Sequence, residues 1–272
     1  MTEPLLPLIV EPRDLYASLD SHNLLLLDLN VPEVYSAGHI SGAVNFPFST
    51  LLGPKPPAMG LIAPEAQLSD VFSAMGITPD RHVVAYDSEG TGKACRLLWT
   101  LDVVGHTKFS LLNGGLPAWC AKGLPVEQTP CDPISSEYKV SVSPKRIADS
   151  QYILANLENE DVVVLDCRSQ AEYAGLDLRS ARGGHIPGAA NMDWVLAMDP
   201  NNSGRLKPSE ELKNTLKNLG ITEDKEVIVH CQTHHRSSHT YIVLKHLGFE
   251  KIRGYDGSWS DWGNDPNLPI EN

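Results

Sequence analysis

Cysteine is scarce and scattered in this chain of 272 residues: five in all, at positions 95, 120, 131, 167 and 231. An odd, dispersed set excludes a disulfide frame and points to the reduced thiols of a cytoplasmic protein. Long apolar runs are missing too. No stretch approaches the about 18 residues that cross a bilayer, so no membrane partner is expected. The opening MTEPLLPLIVEPRD lacks a basic segment and has its apolar run broken by Pro and Glu, so it does not read as a secretory signal. Positive charge is in deficit, 22 Lys and Arg against 34 Asp and Glu, a net charge of −12. That excludes nucleic acid as a main partner and requires any small anionic substrate to be drawn by local positive groups. What the chain does hold is 42% hydrophobic residues over a length that suits two globular domains, each with its own core.

The chain is built twice. Residues 64–87 read PEAQLSDVFSAMGITPDRHVVAYD, and residues 208–231 read PSEELKNTLKNLGITEDKEVIVHC. The two align without a gap at a constant offset of 144, Pro64 on Pro208 and Asp87 on Cys231. Upstream, LLLLDLNVPEVYSAGHISGAVNF (24–46) corresponds to VVVLDCRSQAEYAGLDLRSARGGHIPGAANM (162–192), with eight extra residues in the second copy. Downstream, Asn113 to Trp119 corresponds to Asp256 to Trp262. Self-similarity at this length is domain duplication, not a solenoid.

Short apolar runs at Leu24–Asp28, Val83–Asp87, Val162–Asp166 and Glu226–His230 suit strands buried on both faces. Between them, Leu212, Leu216 and Leu219 mark one helical face, opened by Pro208 and Ser209 and closed by Gly220; Leu68, Val71, Phe72 and Met75 repeat it in the first copy. Alternating strands and helices predict an α/β fold: two tandem domains, each a mainly parallel central sheet flanked by helices. The expected division is 1–125, a Pro-containing and largely extended linker over 126–145, and 146–272.

The chemistry concentrates in EVIVHCQTHHRSSHTYIVLKHLG, residues 226–248. A strand delivers Cys231 to its carboxyl end, where parallel α/β sheets bind ligands. A tight loop follows, and Ser237 or Ser238 is expected to cap a helix running to Leu247. Successive loop amides form an anion nest, the helix N-terminus adds partial positive charge, and Arg236 adds a full one. All three favour thiolate over thiol, so Cys231 is predicted to be a nucleophile with a lowered pKa. Arg236 is expected at the rim, with little core to support. In the first copy Asp87 replaces the nucleophile, so residues 1–125 are expected to be the inactive domain and residues 146–272 the catalytic one. Cys95, Cys120, Cys131 and Cys167 lack such a setting and read as unreactive.

The strand-end Asp, the His-Ile-Pro-Gly-Ala at 185–189 and the Cys231 loop resemble the rhodanese (thiosulfate sulfurtransferase) family. The resemblance spans nearly the whole chain as a tandem pair. The loop Cys-Gln-Thr-His-His-Arg-Ser is similar to the bacterial tandem type and differs from the Cys-Arg-Lys-Gly of the animal enzymes and the Cys-Gly-Ser-Gly of mercaptopyruvate sulfurtransferases. The resemblance implies transfer of a sulfane sulfur from thiosulfate to cyanide or a thiol through a Cys231 persulfide, without a cofactor. It also implies substrate binding by Arg168, after the strand-end Asp166. Gln232, Thr233, His234 and His235 join Arg236 as expected substrate-binding residues, with the two histidines partly exposed. Arg182, in the insertion of the second copy, is a further candidate for steering anions, and Trp259 for walling the site.

Three other readings follow from the same residues. His230-Cys231 with a downstream Arg is similar to the His-Cys-x5-Arg loop of cysteine phosphatases, but only four residues intervene here, too few to wrap a tetrahedral phosphoryl group. His230, Cys231, His234, His235 and His239 are metal-type donors without the paired spacing of a zinc site, so no metal is expected. A sulfur carrier that hands its persulfide to a dedicated protein acceptor would use the same Cys231. His39 and His185 occur in both copies, so a shared structural role is expected for them.

Overall fold

The computed structural model describes residues 4–272. The apolar runs of each copy become short strands joined side by side in parallel. The first sheet contains β1 (Ile9–Val10), β2 (Leu24–Asp28), β3 (Val44–Asn45), β4 (His82–Tyr86) and β5 (Phe109–Leu112), in the order β1-β5-β4-β2-β3. The second contains β6 (Ile147–Ala148), β7 (Val162–Asp166), β8 (Ala190–Asn191), β11 (Glu226–His230) and β12 (Ile252–Tyr255), in the order β6-β12-β11-β7-β8. The two orders are the same topology traced twice. A further two-stranded sheet joins β9 (Met198–Asp199) and β10 (Arg205–Leu206).

Parallel strands with helices on both faces need apolar side chains on both faces, and β4 is buried at every position. Leu26, Val84 and Trp119 share one core; Val164, Ile228 and Trp262 share the other. The expected helices form at Glu65–Ala74 and Ser209–Asn218, with Leu68, Val71 and Phe72 buried in one, Leu212 and Leu216 in the other.

The shared histidines have the shared role that duplication implies. His39 stacks on Tyr35 at 3.8 Å and His185 on Tyr173 at 3.7 Å, and each ring nitrogen Nδ1 meets the tyrosine's own carbonyl oxygen. The backbone of His39 pairs with Glu127, and that of His185 with Glu271. Trp119 Nε1 likewise donates to Pro125 O, and Trp262 Nε1 to Pro269 O.

Contacts divide the chain into two units. The first gathers the residues up to Leu51, Ala63–Val142 and Asp199–Leu206; the second gathers Leu52–Ile62, Ser143–Met198 and Lys207–Asn272. Each unit therefore contains a short piece of chain from the opposite half of the sequence. The extended segment expected as a linker is laid against the first unit, because its strand-like backbone needs partners. The Ser73 hydroxyl accepts from the Tyr138 amide at 2.9 Å, and the Ser69 hydroxyl from the Val140 amide at 3.0 Å.

Candidate active site

β11 lies between β7 and β12, and Cys231 is the first residue beyond its carboxyl end. Its amide donates to Ser258 Oγ at 3.3 Å, and its carbonyl accepts from the Trp259 amide at 2.9 Å. His234 takes the left-handed conformation, φ 58°, which lets the chain turn sharply before the helix at Arg236–His246. The helix begins one residue before the serines expected to cap it, with His235 at the N-cap. Ser237 and Ser238 sit inside the first turn instead, and their hydroxyls serve the loop. Ser238 Oγ donates to His234 O at 2.5 Å, and Ser237 Oγ lies 2.7 Å from His234 Nδ1.

The Cys231 side chain is 1% exposed, yet its surroundings are polar. Burial pushes its thiol pKa up. The Arg236 charge, the Ser237 hydroxyl and the amides of Ser237 and Thr233 push it down further, leaving it below the ordinary value. Cys167 and Cys95 are also buried, but burial dominates there and both thiols are raised well above the ordinary range. Cys231 is thus the buried cysteine whose surroundings favour the ionised form, where burial prevails at Cys167 and Cys95.

Arg236 is not the unencumbered rim charge expected from sequence. Its guanidinium meets Glu172 at 2.6 and 2.8 Å, a two-pronged pair. Glu172 follows Ser169 in a reciprocal capping box at the helix Gln170–Tyr173. The Ser-x-x-Glu spacing is readable in the sequence as a helix start; its second role, orienting Arg236, is not.

Other expected residues are placed differently. Arg168 is 1% exposed. It binds Asp166 through Nε and Nη2, donates to Gly184 O at 2.8 Å and lies 4.2 Å over the Trp259 ring. These contacts join β7, the insertion and the turn at Trp259, which is what a buried arginine with fixed partners does. Arg182 donates to the carbonyl oxygens of Leu268, Trp262 and Asp265, so the anion-steering expectation gives way to a role in closing the C-terminal turn. Trp259, 1% exposed, lies beneath Arg168 with Nε1 donating to Arg182 O, so it is packed rather than walling an open site. Gln232 Nε2 holds the insertion through Arg179 O at 3.1 Å and Ser180 Oγ at 3.2 Å. Thr233 and His235 remain partly exposed in the loop, whereas His234 is fully buried, because the left-handed turn faces its ring to Ser237. Among the described residues no group of three or more His, Cys, Asp or Glu is placed to hold a metal ion.

The first unit contains the same loop with a different occupant. Asp87 stands at the strand end, and its Oδ1 accepts from the amides of Glu89 and Thr91, both at 2.8 Å. Its Oδ2 accepts from Ala94 N at 3.0 Å, at the start of the helix Gly92–Val103. A carboxylate thus fills the amide cradle from within. Burial raises the Asp87 pKa and the three amides oppose it, so the cradle is a set of loop and helix donors turned toward the strand end.

The comparisons agree with this double geometry. Residues 11–122 and 149–265 each match the Rhodanese-like domain. A thiosulfate sulfurtransferase of Azotobacter vinelandii is 43% identical over 267 residues, 98% of this chain and 97% of that protein. A protein of the same name from Pseudomonas aeruginosa is also 43% identical, with the same coverage. A sulfur carrier protein, TtuD, of Thermus thermophilus is 33% identical over 87% of this chain and 86% of its own. Among solved structures, an anaerobic ergothioneine biosynthesis enzyme from Chlorobium limicola superposes with a TM-score of 0.88 at 21% identity, over 97% of this chain and 70% of that one. YnjE superposes equally well, with a TM-score of 0.88 at 22% identity, over 97% of this chain and 68% of that one; both likenesses speak to the fold alone. With both of its copies matched and its length covered by such relatives, the chain belongs to the rhodanese-like domain family as a tandem pair.

Proposed function

We propose that this chain is a thiosulfate sulfurtransferase that works through a persulfide on Cys231. The observation that carries the reading is the cysteine at the end of β11, with the amides of Thr233 and Ser237, the Ser237 hydroxyl and Arg236 all lowering its thiol pKa, at the position where the first copy has Asp87. The homologues at 43% identity support thiosulfate as the donor.

The reaction balances in two steps. The Cys231 thiolate attacks the outer sulfur of thiosulfate; a new S–S bond forms, the old one breaks, and its electron pair leaves with sulfite. Cyanide or a thiolate then attacks the terminal sulfur of the persulfide, taking it as thiocyanate or a new persulfide and restoring the thiolate. The amides of Thr233 and Ser237 and the Arg236 charge stabilise the persulfide anion, which is covalent catalysis with electrostatic support. His234, Ser237 and Glu172 position these groups, and Arg168 holds β7 and the Trp259 turn behind them. Gln232, Thr233 and His235 shape the entrance. The silent domain is drawn mainly from residues 1–125 and the catalytic one mainly from 146–272, with Leu52–Ile62 exchanged into the second unit and Asp199–Leu206 into the first. Five free thiols, four of them outside this cradle, suit the reducing cytoplasm.

Intact mass after brief thiosulfate exposure tests the reading: wild type gains one sulfur atom and Cys231→Ala gains none. No gain on the wild type, with no thiocyanate formed from cyanide, rejects it. The relative named as a sulfur carrier favours a second reading, in which a protein acceptor receives the sulfur. Stoichiometric sulfite release without turnover on cyanide or small thiols selects that alternative.

A further inference from the structure

The silent half of the sequence places a strap on the catalytic loop. Residues Leu52–Ile62 belong by contact to the second unit. The strap is closed at its base by the Leu52–Ile62 bridge and by the Gly53 amide donating to Leu61 O at 2.9 Å. At its tip Gly60 lies against the loop: a Cβ there would sit 2.4 Å from Thr233 O, 2.7 Å from Thr233 C and 2.6 Å from Asp256 O. All three neighbours are backbone, so none can swing aside. The φ of Gly60 is outside the left-handed region, so space, not backbone conformation, requires the glycine.

Two hydrogen bonds seat the strap. Ile62 N donates to Asp256 Oδ2 at 2.7 Å, and Met59 N to Ser260 Oγ at 3.2 Å. The turn they hold is itself bonded to the nucleophile's segment, with Trp259 N donating to Cys231 O and Ser260 N to Gln232 O. The first unit repeats the docking without a nucleophile. Asp199–Leu206, from the second half, belongs there, and Leu206 N donates at 2.8 Å to Asn113 Oδ1, the counterpart of Asp256. The docking is therefore inherited by both copies, but only one strap touches a reactive loop.

We propose that the Leu52–Ile62 strap is a positioning element for sulfur transfer, with Gly60 setting the height of the Thr233–His234 peptide and hence the donors around the Cys231 sulfur. The proposal rests on the persulfide reading and assigns the silent half a direct part in it. A methyl at position 60 pushes the peptide outward and loosens the hydrogen bonds that hold the thiolate, and displacements of this size at a reacting centre cost about tenfold to a hundredfold in rate.

The test uses the full chain, comparing Gly60→Ala, Ser260→Ala and Asn113→Ala. The readouts are the pH midpoint of Cys231 alkylation, turnover with thiosulfate and cyanide, and the melting temperature. Gly60→Ala raises the alkylation midpoint by about one pH unit and lowers kcat about tenfold; Ser260→Ala does the same to a smaller degree. Asn113→Ala, which breaks the equivalent docking in the other unit, lowers the melting temperature and leaves the midpoint at the wild-type value. Where Gly60→Ala fails to fold, Ser260→Ala decides. A wild-type midpoint in the folded strap variants overturns the proposal, as does an equal shift in Asn113→Ala. Alkylation needs no sulfur donor, so a strap effect on it stands even where thiosulfate proves not to be the substrate.

Discussion

Glu172 grips Arg236 with both carboxylate oxygens, 2.6 Å to Nη1 and 2.8 Å to Nη2. Burial pushes the Glu172 pKa up, but hydrogen bonds and charge from Arg236, with the Ser169 amide and hydroxyl, overcome that and bring it to about 2, against an ordinary 4.5. A carboxylate depressed in the folded state adds stability above its unfolded pKa and loses it as the pH falls through the folded one. The pair is therefore expected to add up to about 3 kcal/mol above pH ~4.5, lost progressively toward pH ~2. Denaturant melts across that window show a steeper loss for wild type than for Glu172→Gln; parallel slopes count against the pair.

The same pair changes what removal of Arg236 does. Arg236→Ala withdraws the largest of the influences that lower the Cys231 pKa, so its midpoint rises toward the ordinary value and turnover falls about a hundredfold. It also leaves the buried Glu172 carboxylate with only Ser169 and a longer contact to Arg179, which destabilises the fold by about 2 kcal/mol. Arg236→Ala combined with Glu172→Gln regains most of the stability and none of the turnover. Recovery of activity in the double variant would mean that Arg236 acts only through the fold.

His234 reaches the sulfur through Ser237. With Ser237 Oγ donating to Cys231, its oxygen accepts from His234 Nδ1, which fixes the imidazole as the Nδ1–H tautomer. Ser237→Ala removes a hydrogen bond to the thiolate and is expected to raise the alkylation midpoint by about one pH unit. His234→Gln, which keeps a donor, shifts it less than His234→Ala. Equal midpoints in all three variants exclude the chain of hydrogen bonds.

The repeat, the parallel sheets and the place of Cys231 at a strand end were legible because each is written in local pattern: gapless alignment, apolar runs, and a strand leading straight into a loop and helix. What was not legible is pairing at a distance. Arg168 and Arg182 have the same side chain as Arg236, and only the fold shows that Asp166 and a set of carbonyl oxygens occupy the first two. The Ser169-x-x-Glu172 spacing carries a helix-start signal that was not among the expectations from sequence, and nothing near it in sequence names Arg236. Gly60 carried no signal at all, being one of 21 glycines, because its requirement comes from Thr233 and Asp256 far along the chain. His234, expected to be partly exposed, is buried because a tight loop of polar residues reads as solvated, and only its left-handed turn brings the ring inward.

Asp87 gives the most direct test of how much the amide cradle does alone. Its side chain satisfies the amides of Glu89, Thr91 and Ala94, so Asp87→Ala leaves two buried donors and a part-buried one without an acceptor and is expected to cost about 3 kcal/mol. Asp87→Asn keeps one oxygen and costs less. Asp87→Cys puts a thiol at the position matching Cys231, but the residue matching Arg236 at the helix start is Gly92, and Lys93 beside it pairs with Glu89 at 2.9 Å. Without a guanidinium, burial is opposed by amides and only weakly by the Lys93 charge, so this thiol should titrate above Cys231 and take up no sulfur. The measurement is intact mass of Asp87→Cys in a Cys231→Ala background after thiosulfate exposure. A gain of one sulfur atom would show that loop and helix amides suffice for the first half-reaction, and that Arg236 serves the step after it.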